Sequence, residues 1–303
     1  AASDVYKRQA LYRSVLPAEN LLLVNTPTRF NSETTKNLAR RLAENLEAPF
    51  VELPIDSFIN ETVSQIDDLQ IPFPSDMKTL HLTGFMKENI QARDRSTRIL
   101  ATLSSAFGGI FTCNANKTEL TVGYGTLYGD LSGALAATAD LWKHQIYALG
   151  RTLNRYFDKN MIPDEIFTVR PSAELSENQD ITKGLGDPLI YEYHDFLFRS
   201  FIEPWNRITP EEILTWYSKN CLEEKLGTPV SIKSIFKTHH DFITDLEKWW
   251  NLFAGFAVAK RIQAPPLLAV SRRPYGYDLR ESQIAPYYTD TYIHLKNSLL
   301  SNG

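Results

Sequence analysis

The stretch Gly109-Ile-Phe-Thr-Cys-Asn-Ala-Asn-Lys-Thr-Glu119 decides the predicted fold of this 303-residue chain. Its first five residues form a short apolar run that begins at a glycine, which is typical of a buried strand in a parallel sheet. A polar turn follows, and Glu119 lies where the next helical pattern begins. We therefore predict a strand that ends at Cys113 and places a carboxylate, a lysine and two amide groups at its carboxyl end.

Strand and helix patterns alternate on both sides of this stretch. Apolar runs predict strands at 21–24 and 49–54. Ser32 is the predicted N-cap of a helix whose apolar residues Leu38, Leu42 and Leu46 are four residues apart, and helical patterns also cover 83–107 and 139–157. This alternation indicates βαβ units, and hence an α/β fold with a parallel sheet flanked by helices over residues 10–157. Residues 158–303 show helical patterns without clear strands. Ligands of such sheets bind at the carboxyl ends of the strands, here 25–32 and 113–119.

Composition excludes several classes of protein. Hydrophobic residues make up 43% and charged residues 22%, which is ordinary globular composition rather than that of a disordered or coiled-coil chain. A net charge of −4 does not favour nucleic-acid binding, and no apolar run is long enough for a membrane span. The two cysteines, Cys113 and Cys221, are too few for a disulfide framework, so we expect a reducing, cytoplasmic environment.

Residues 1–9 (Ala1-Ala-Ser-Asp-Val-Tyr-Lys-Arg-Gln9) contain no apolar segment of a signal peptide. They resemble the in-frame translation of a transposase adapter used to prepare sequencing libraries. We therefore expect the native sequence to begin at Ala10. The alternative is an ordinary frayed N-terminus.

Other motifs do not support a site. The third glycine of Gly123-Tyr-Gly-Thr-Leu-Tyr-Gly129 is one residue too late for a dinucleotide-binding loop. Adjacent histidines in His239-His240-Asp241 point to different faces of a helix, which favours a solvated pair over a metal site. For 114–119 two interpretations remain. Glu119 could be an oxygen ligand of a Mg²⁺-bound phosphate with Asn114 on the nucleotide, or an exposed first-turn residue of an Asn-capped helix.

Six segments, in the same order, closely resemble those of the NAD synthetases, especially the glutamine-dependent kind. They are Pro27-Thr-Arg-Phe-Asn-Ser-Glu33, Glu88-Asn-Ile-Gln-Ala-Arg93, the span from Asn114 to Asp130, Ala139-Asp-Leu-Trp-Lys143, Arg170-Pro-Ser-Ala-Glu-Leu175 and Lys260-Arg-Ile-Gln-Ala-Pro-Pro266. The resemblance implies an adenine nucleotide alpha hydrolase-like fold of the N-type ATP pyrophosphatases. It implies one synthetase domain over residues 10–303, with a sheet core to about 157 and a helical remainder.

The resemblance also implies the reaction and its residues. The nicotinate carboxylate of deamido-NAD attacks ATP, pyrophosphate leaves, and ammonia displaces AMP from the adenylate. Glu119 would bind Mg²⁺, and Glu119 and Lys143 would be catalytic. The implied ATP contacts are Asn31, Ser32, Asn114, Lys143 and Ser172. The implied deamido-NAD contacts are Asn89, Arg93, Glu119, Tyr124, Gly125, Thr126, Leu127, Lys260 and Arg261, the last two on a C-terminal basic loop.

Some positions depart from the ammonia-dependent bacterial pattern, in which a threonine, a lysine and an aspartate stand at Asn114, Leu127 and Ala134. Leu127 is similar to the glutamine-dependent branch. The family's Ser-Gly-Gly-x-Asp-Ser loop should precede Ala10, so we expect a truncated chain of weak or no activity that lacks an amidase domain. The resemblance further implies a homodimer. Two alternatives are another ATP-pyrophosphatase amidotransferase, such as a GMP synthetase-like enzyme, and a non-catalytic nucleotide-binding module.

Overall fold

The computed structural model describes residues 2–169, 171–275 and 286–301. In the first half of the chain its elements are α1 (Ala2–Arg13), β1 (Leu23–Asn25), α2 (Glu33–Leu46), β2 (Phe50–Glu52), α3 (Asp56–Ile66), β3 (Gln70–Phe73), β4 (Asp76–Thr79), α4 (Gly84–Arg93), a π-helical segment (Asp94–Leu100), α5 (Ala101–Phe107) and α6 (Lys117–Val122). In the second half they are α7 (Lys143–Tyr156), α8 (Glu165–Thr168), α9 (Tyr191–Ile202), α10 (Pro210–Ser218), α11 (Leu222–Leu226), α12 (Ile232–Ile235), α13 (His239–Ala254), α14 (Ala257–Gln263) and α15 (Asp290–Ser301).

The chain forms two compact units, each assembled from three segments. The first comprises Ala1–Asn114, Thr126–Leu135 and Ile146–Pro188, and the second comprises Ala115–Gly125, Ala136–Gln145 and Leu189–Gly303. The described residues after Phe157 form helices and no strand, as the sequence predicts. Across the described ranges, no helix combines the length and apolar character needed to cross a membrane.

The first unit contains the parallel pair that the sequence predicts. Strands β1 and β2 run parallel, with Val24 opposite Val51. The intervening helix α2 begins where expected, since the Ser32 hydroxyl accepts the Thr35 backbone N–H. Its apolar face, with Leu38, Leu42 and Leu46, is buried in the core of this unit. A second, antiparallel pair (β3–β4) forms a hairpin.

The predicted strand at 109–113 is not formed. Two backbone hydrogen bonds link this segment to the chain near residue 135, from Ala134 to the Phe111 carbonyl and from Cys113 to the Leu135 carbonyl. Two bonds do not make a ladder, and the Ile110 side chain is exposed, so only the end of the apolar run packs as a strand would. Gly133 lies so close that a Cβ would approach the Cys113 nitrogen to 2.6 Å.

The first helix begins within the predicted adapter translation. Tyr6 is buried, and its hydroxyl donates to the Thr35 carbonyl at 3.0 Å. The Lys7 ammonium lies 3.7 Å from the centre of the Tyr147 ring. These residues are therefore not a frayed terminus, and an adapter origin for residues 1–9 stays a prediction.

Aromatic side chains dominate the core of the second unit. Phe198 and Trp249 pack edge to face, and Phe201 contacts Trp250 in the same way. Trp249 is buried. Of the predicted solvated histidine pair, His240 is exposed and His239 is half-buried, with its Nδ1 2.8 Å from the Tyr217 hydroxyl.

Candidate functional site

In the first unit, the loop after β1 is held by a buried carboxylate. The Ser32 backbone N–H donates to Glu174 Oε1 at 3.2 Å, and the Asn31 side-chain amide donates to Glu174 Oε2 at 3.4 Å. The Asn31 Oδ1 atom accepts the Thr28 backbone N–H at 2.8 Å. The two predicted ATP contacts in this loop, Asn31 and Ser32, are thus fixed by Glu174, which sequence reasoning did not select.

Glu174 is fixed in turn by the predicted residue Ser172. The Ser172 hydroxyl accepts the Glu174 backbone N–H at 3.1 Å and donates to the Gln179 carbonyl at 2.7 Å. Glu174 has a positive φ of 47°, which is costly for a residue with a side chain. Ser172 therefore lies beside the loop that carries Asn31 and Ser32. Arg170, at the start of the same motif, lies outside the described residues.

One further cation contacts the same loop. Arg95 Nε donates to the Thr26 carbonyl at 3.2 Å. Burial lowers the pKa of Arg95 to about 10, against the opposing effect of nearby acidic groups that include Asp130 and Glu174. The guanidinium remains charged at neutral pH, so it supplies local positive charge in a chain whose net charge is negative.

The predicted substrate helix α4 meets the glycine-rich segment in the same unit. Asn89 Oδ1 accepts the Thr126 hydroxyl at 2.6 Å, and Arg93 Nε donates to the Leu127 carbonyl at 3.2 Å. Asp130 accepts the Thr126 backbone N–H at 2.6 Å. Asn89 and Arg93 lie four residues apart on one face of the helix, as expected. The structure thus brings together four of the predicted deamido-NAD contacts. Asn114, in the same unit, is half-buried directly after Cys113.

In the second unit, Glu119 lies in the first turn of a helix that Asn116 caps. Asn116 caps α6: its Oδ1 accepts the Glu119 backbone N–H at 2.8 Å, and the Asn116 backbone N–H donates to Glu119 Oε2 at 3.2 Å. This reciprocal capping box is the arrangement expected of an Asn-capped helix. The expectation of an exposed Glu119 is wrong, however, because only 5% of the residue is exposed.

Lys143 begins α7 and is 2% exposed. Its backbone N–H donates to the Thr118 hydroxyl at 3.2 Å, and its ammonium lies 4.6 Å from the centre of the Tyr191 ring. Glu119 follows Thr118 directly in α6. The two residues predicted to be catalytic are therefore both buried, and they are connected through Thr118.

A buried ion pair lies beside these residues. Lys117 Nζ is 2.8 Å from Asp140 Oδ1, and both side chains are fully buried. Asp140 also accepts backbone N–H groups from Val270 at 2.7 Å and Ser271 at 2.6 Å. Burial by itself would raise the pKa of Asp140, but the hydrogen bonds from Lys117, Ser271 and Val270 outweigh it and hold that pKa below its ordinary value.

Lys260 and Arg261 do not lie on a loop, as the resemblance implied, but in helix α14. Lys260 Nζ donates to the Gly123 carbonyl at 2.7 Å. Arg261 is buried and donates to the Thr121 carbonyl at 2.5 Å and the Phe253 carbonyl at 2.9 Å. Both side chains contact the carboxyl end of α6, where cations are favourable.

Tyr124 and Gly125 follow Gly123, the C-cap of α6. Their backbone N–H groups donate to the Glu119 and Gly123 carbonyls, so both residues form the turn that ends the helix. Gly123 has a φ of +64°, and a Cβ there would lie 2.9 Å from the Ala257 Cα atom. The glycine of this segment thus permits a close approach to α14 rather than a dinucleotide contact.

The donor set around Glu119 suits a magnesium ion that is shared with a phosphate. Mg²⁺ is commonly held by one or two carboxylates together with phosphate oxygens and water. Glu119 offers such a carboxylate in the first turn of α6. Elsewhere in the described residues, Asp67, Asp68 and His81 place ligand atoms within 4.8 Å of one another on the hairpin side of the first unit. Asp67 there is already paired with Lys87.

Comparison with known proteins identifies the family of this chain. A family model described as NAD synthase matches residues 7–234. The chain is 33% identical over 198 residues to a glutamine-dependent NAD(+) synthetase of Thermotoga maritima, covering 65% of this chain and 32% of that protein. It is 31% identical over 213 residues to an NH(3)-dependent NAD(+) synthetase of Helicobacter hepaticus, covering 70% of this chain and 72% of that protein.

Among solved structures, a glutamine-dependent NAD(+) synthetase from Cytophaga hutchinsonii superposes with a TM-score of 0.63 at 19% identity. The match covers 92% of this chain and 40% of that chain, and it supports the predicted α/β fold class. The chain spans about a third of the length of the first glutamine-dependent relatives it matches. The family match extends over well more than half of the sequence, and the chain belongs to the NAD synthase family.

Proposed function

We propose that the protein containing this chain makes NAD by ATP-dependent amidation of deamido-NAD. The observation that carries the proposal is the burial of Glu119 and Lys143 in segments joined through Thr118. These residues are buried at the starts of two helices that Thr118 connects. A buried carboxylate and a buried ammonium are costly as packing, because each loses its hydration. They are useful where a phosphate and its cation must be held away from water.

The reaction follows from the chemistry of a carboxylate, which is a poor acylating agent. A nicotinate carboxylate oxygen attacks the α-phosphorus of ATP, and the bond from that phosphorus to the bridging oxygen breaks, so pyrophosphate leaves. Ammonia then attacks the acyl carbon, loses a proton, and expels AMP. Most catalysis in such transfers comes from positioning and charge neutralisation. Lys143 would neutralise phosphate charge as a point cation.

Glu119 would hold Mg²⁺ through its carboxylate. When bound, that ion would neutralise phosphate oxygens and favour departure of pyrophosphate. The capping box to Asn116 supports this role because it fixes the orientation of the carboxylate before any ligand arrives. ATP contacts at Asn114, and at Asn31, Ser32 and Ser172 in the loops held by Glu174, belong to the same proposal.

The deamido-NAD contacts proposed in the first unit would act through the loop at 126–127. Asn89 and Arg93 hold this loop from one helix face, so its backbone is ordered without a ligand. An ordered loop loses less entropy on binding. Proposed contacts in the second unit are Tyr124, Gly125, Lys260 and Arg261. The bonds of Lys260 and Arg261 to backbone carbonyls support a role in fixing the turn at Gly123.

Several further properties belong to this proposal. Residues 10–303 would form the synthetase domain and residues 1–9 would be adapter translation. Glutamine would supply the ammonia through an amidase domain of the intact protein. A homodimer and a cytoplasmic location are likewise proposed.

The test is substrate-dependent release of AMP. The intact protein is incubated with ATP, Mg²⁺ and ammonium, and with deamido-NAD or xanthylate. We expect AMP and NAD in equal amounts with deamido-NAD and no AMP with xanthylate. AMP release with xanthylate would favour a GMP synthetase-like enzyme instead. ATP binding without AMP release on either substrate would favour a nucleotide-binding module.

A further inference from the structure

A buried carboxylate connects the two residues proposed as catalytic. Asp195, on α9, has a fully buried side chain. Its Oδ1 atom accepts the Thr118 hydroxyl at 2.5 Å, and its Oδ2 atom accepts the His144 backbone N–H at 2.8 Å. We propose that Asp195 is a positioning residue that fixes Glu119 and Lys143 relative to each other. This inference rests on the proposed function.

The connection runs through the neighbours of both residues. Thr118 directly precedes Glu119, and its hydroxyl accepts the Lys143 backbone N–H at 3.2 Å. A hydroxyl has one donor and two acceptor positions, so it can donate to Asp195 and accept from Lys143 at once. His144 directly follows Lys143. One carboxylate therefore holds the start of α7 and the first turn of α6.

The same face of α9 also contacts the Lys143 ammonium. Tyr191 lies four residues before Asp195, hence on the same side of the helix. The Lys143 ammonium is 4.6 Å from the centre of its ring. A cation over an aromatic face is attracted to the ring quadrupole. Helix α9 thus fixes both the backbone and the side-chain end of Lys143.

Packing alone does not require a carboxylate at the buried position of Asp195. A hydrophobic side chain would avoid the desolvation cost of a buried carboxylate. Asp195 is compensated by donors that all come from residues adjacent to Glu119 or Lys143. A displacement of about 1 Å at a reacting group can cost about a hundredfold in rate. The arrangement is therefore suited to precise placement of these two groups.

Asp195→Asn in the intact protein tests the inference. Asparagine keeps the volume but offers one acceptor oxygen, and its NH₂ group must face a donor. We expect kcat to fall and the KM for ATP to rise, with kcat/KM for ATP reduced about tenfold or more. The KM for deamido-NAD should be unchanged. A merely structural role would lower the folded fraction and leave the KM for ATP as it is.

Asp245→Asn is the matched control. Asp245 Oδ2 is 3.0 Å from His194 Nε2, and Oδ1 accepts the Trp249 indole N–H at 2.9 Å. It thus pairs with a histidine ring in the second unit, as does Asp195, whose Oδ2 lies 2.8 Å from His144 Nδ1. We expect this variant to lose thermal stability and to keep both the KM for ATP and kcat per folded molecule. If both variants change the KM for ATP equally, the inference is overturned.

Thr118→Val and Thr118→Ser keep the inference testable should Asp195→Asn fail to fold. The serine variant retains the hydroxyl and should behave as wild type, whereas the valine variant should reproduce the loss in kcat/KM for ATP. Equal activity of the two would overturn the inference. Failure of the wild type to form NAD would contradict the proposed function but not the inference about Asp195. In that case the inference is tested by the dissociation constant of ATP with Mg²⁺, measured by calorimetry on the same variants. Absence of ATP binding to the wild type would overturn the inference as well.

Discussion

The Lys117–Asp140 pair offers a quantitative test of the second unit. Asp140→Asn removes the closer of two carboxylates that compensate a fully buried lysine; the other is Glu203, whose Oε1 lies 3.6 Å from Lys117 Nζ. Four hydrogen bonds reach the carboxylate, from Lys117, from the Val270 N–H, and from the N–H and hydroxyl of Ser271. Breaking a buried pair from one side costs about 3–5 kcal/mol when the remaining charge is left desolvated and uncompensated. Because Glu203 stays beside Lys117, we expect a loss at the lower end of this range. That is a large part of an ordinary folding free energy of about 5–15 kcal/mol.

The assay is urea unfolding followed by circular dichroism, together with amide hydrogen exchange at Val270 and Ser271. We expect Asp140→Asn to lower the free energy of unfolding by this amount and to speed exchange at both amides. Glu165→Gln is the control, since Glu165 pairs with Arg41 at the exposed surface, and its unfolding midpoint should not change. A loss below about 1 kcal/mol for Asp140→Asn, the usual value of an exposed pair, would refute the reasoning.

The same carboxylate has a pH signature. Its pKa is lower in the folded protein than in the unfolded chain. Its stabilising contribution is therefore complete above the unfolded pKa of about 3.9 and is lost as the pH falls through the lower folded pKa. The stability difference between wild type and Asp140→Asn should shrink over that acidic window. A difference that is constant with pH would contradict an ionised Asp140.

Further substitutions test the remaining contacts. Glu119→Ala and Lys143→Ala should each abolish NAD formation by the intact protein without loss of its folded circular dichroism spectrum; wild-type turnover in either would contradict its role. Gly123→Ala should lower the thermal unfolding midpoint, because φ is positive and the new Cβ would lie 2.9 Å from Ala257; an unchanged midpoint would argue against that close approach. Arg261→Met should lower the free energy of unfolding, measured with urea, by about 1–3 kcal/mol, because the Thr121 and Phe253 carbonyls lose its hydrogen bonds. An unchanged free energy of unfolding would indicate that the Arg261 side chain lies in solvent.

Local signals in the sequence predicted the local structure. Ser32 caps α2 and the spacing of Leu38, Leu42 and Leu46 fixes its buried face, so both could be read from a short window. The predicted helix over 83–107 is confirmed in extent, but its π-helical segment (Asp94–Leu100) was not expected. The prediction of a strand at 109–113 was wrong. An apolar run predicts burial, but it does not reveal whether a partner strand lies beside it in register.

Part of the candidate site could be predicted from the sequence, because its residues lie in short motif segments. Motif segments selected Glu119, Lys143 and Ser172, whereas the carboxylates that fix their surroundings were missed. Asp195 contacts Thr118 from 77 residues away, and Glu174 contacts Ser32 from 142 residues away. Such pairs depend on tertiary packing, which leaves no periodic pattern in a single sequence. Their one sequence signal is an acidic residue within an otherwise apolar helix face, as at Asp195.

The most direct measurement follows the carboxylate oxygen of the substrate. Deamido-NAD labelled with ¹⁸O in its nicotinate carboxylate is converted by the intact protein with ATP, Mg²⁺ and ammonium, and the AMP is analysed by mass spectrometry. If the carboxylate attacks the α-phosphorus and ammonia then displaces AMP, each AMP carries one labelled oxygen from the doubly labelled carboxylate. Unlabelled AMP accompanying NAD formation would contradict activation of the carboxylate by adenylation.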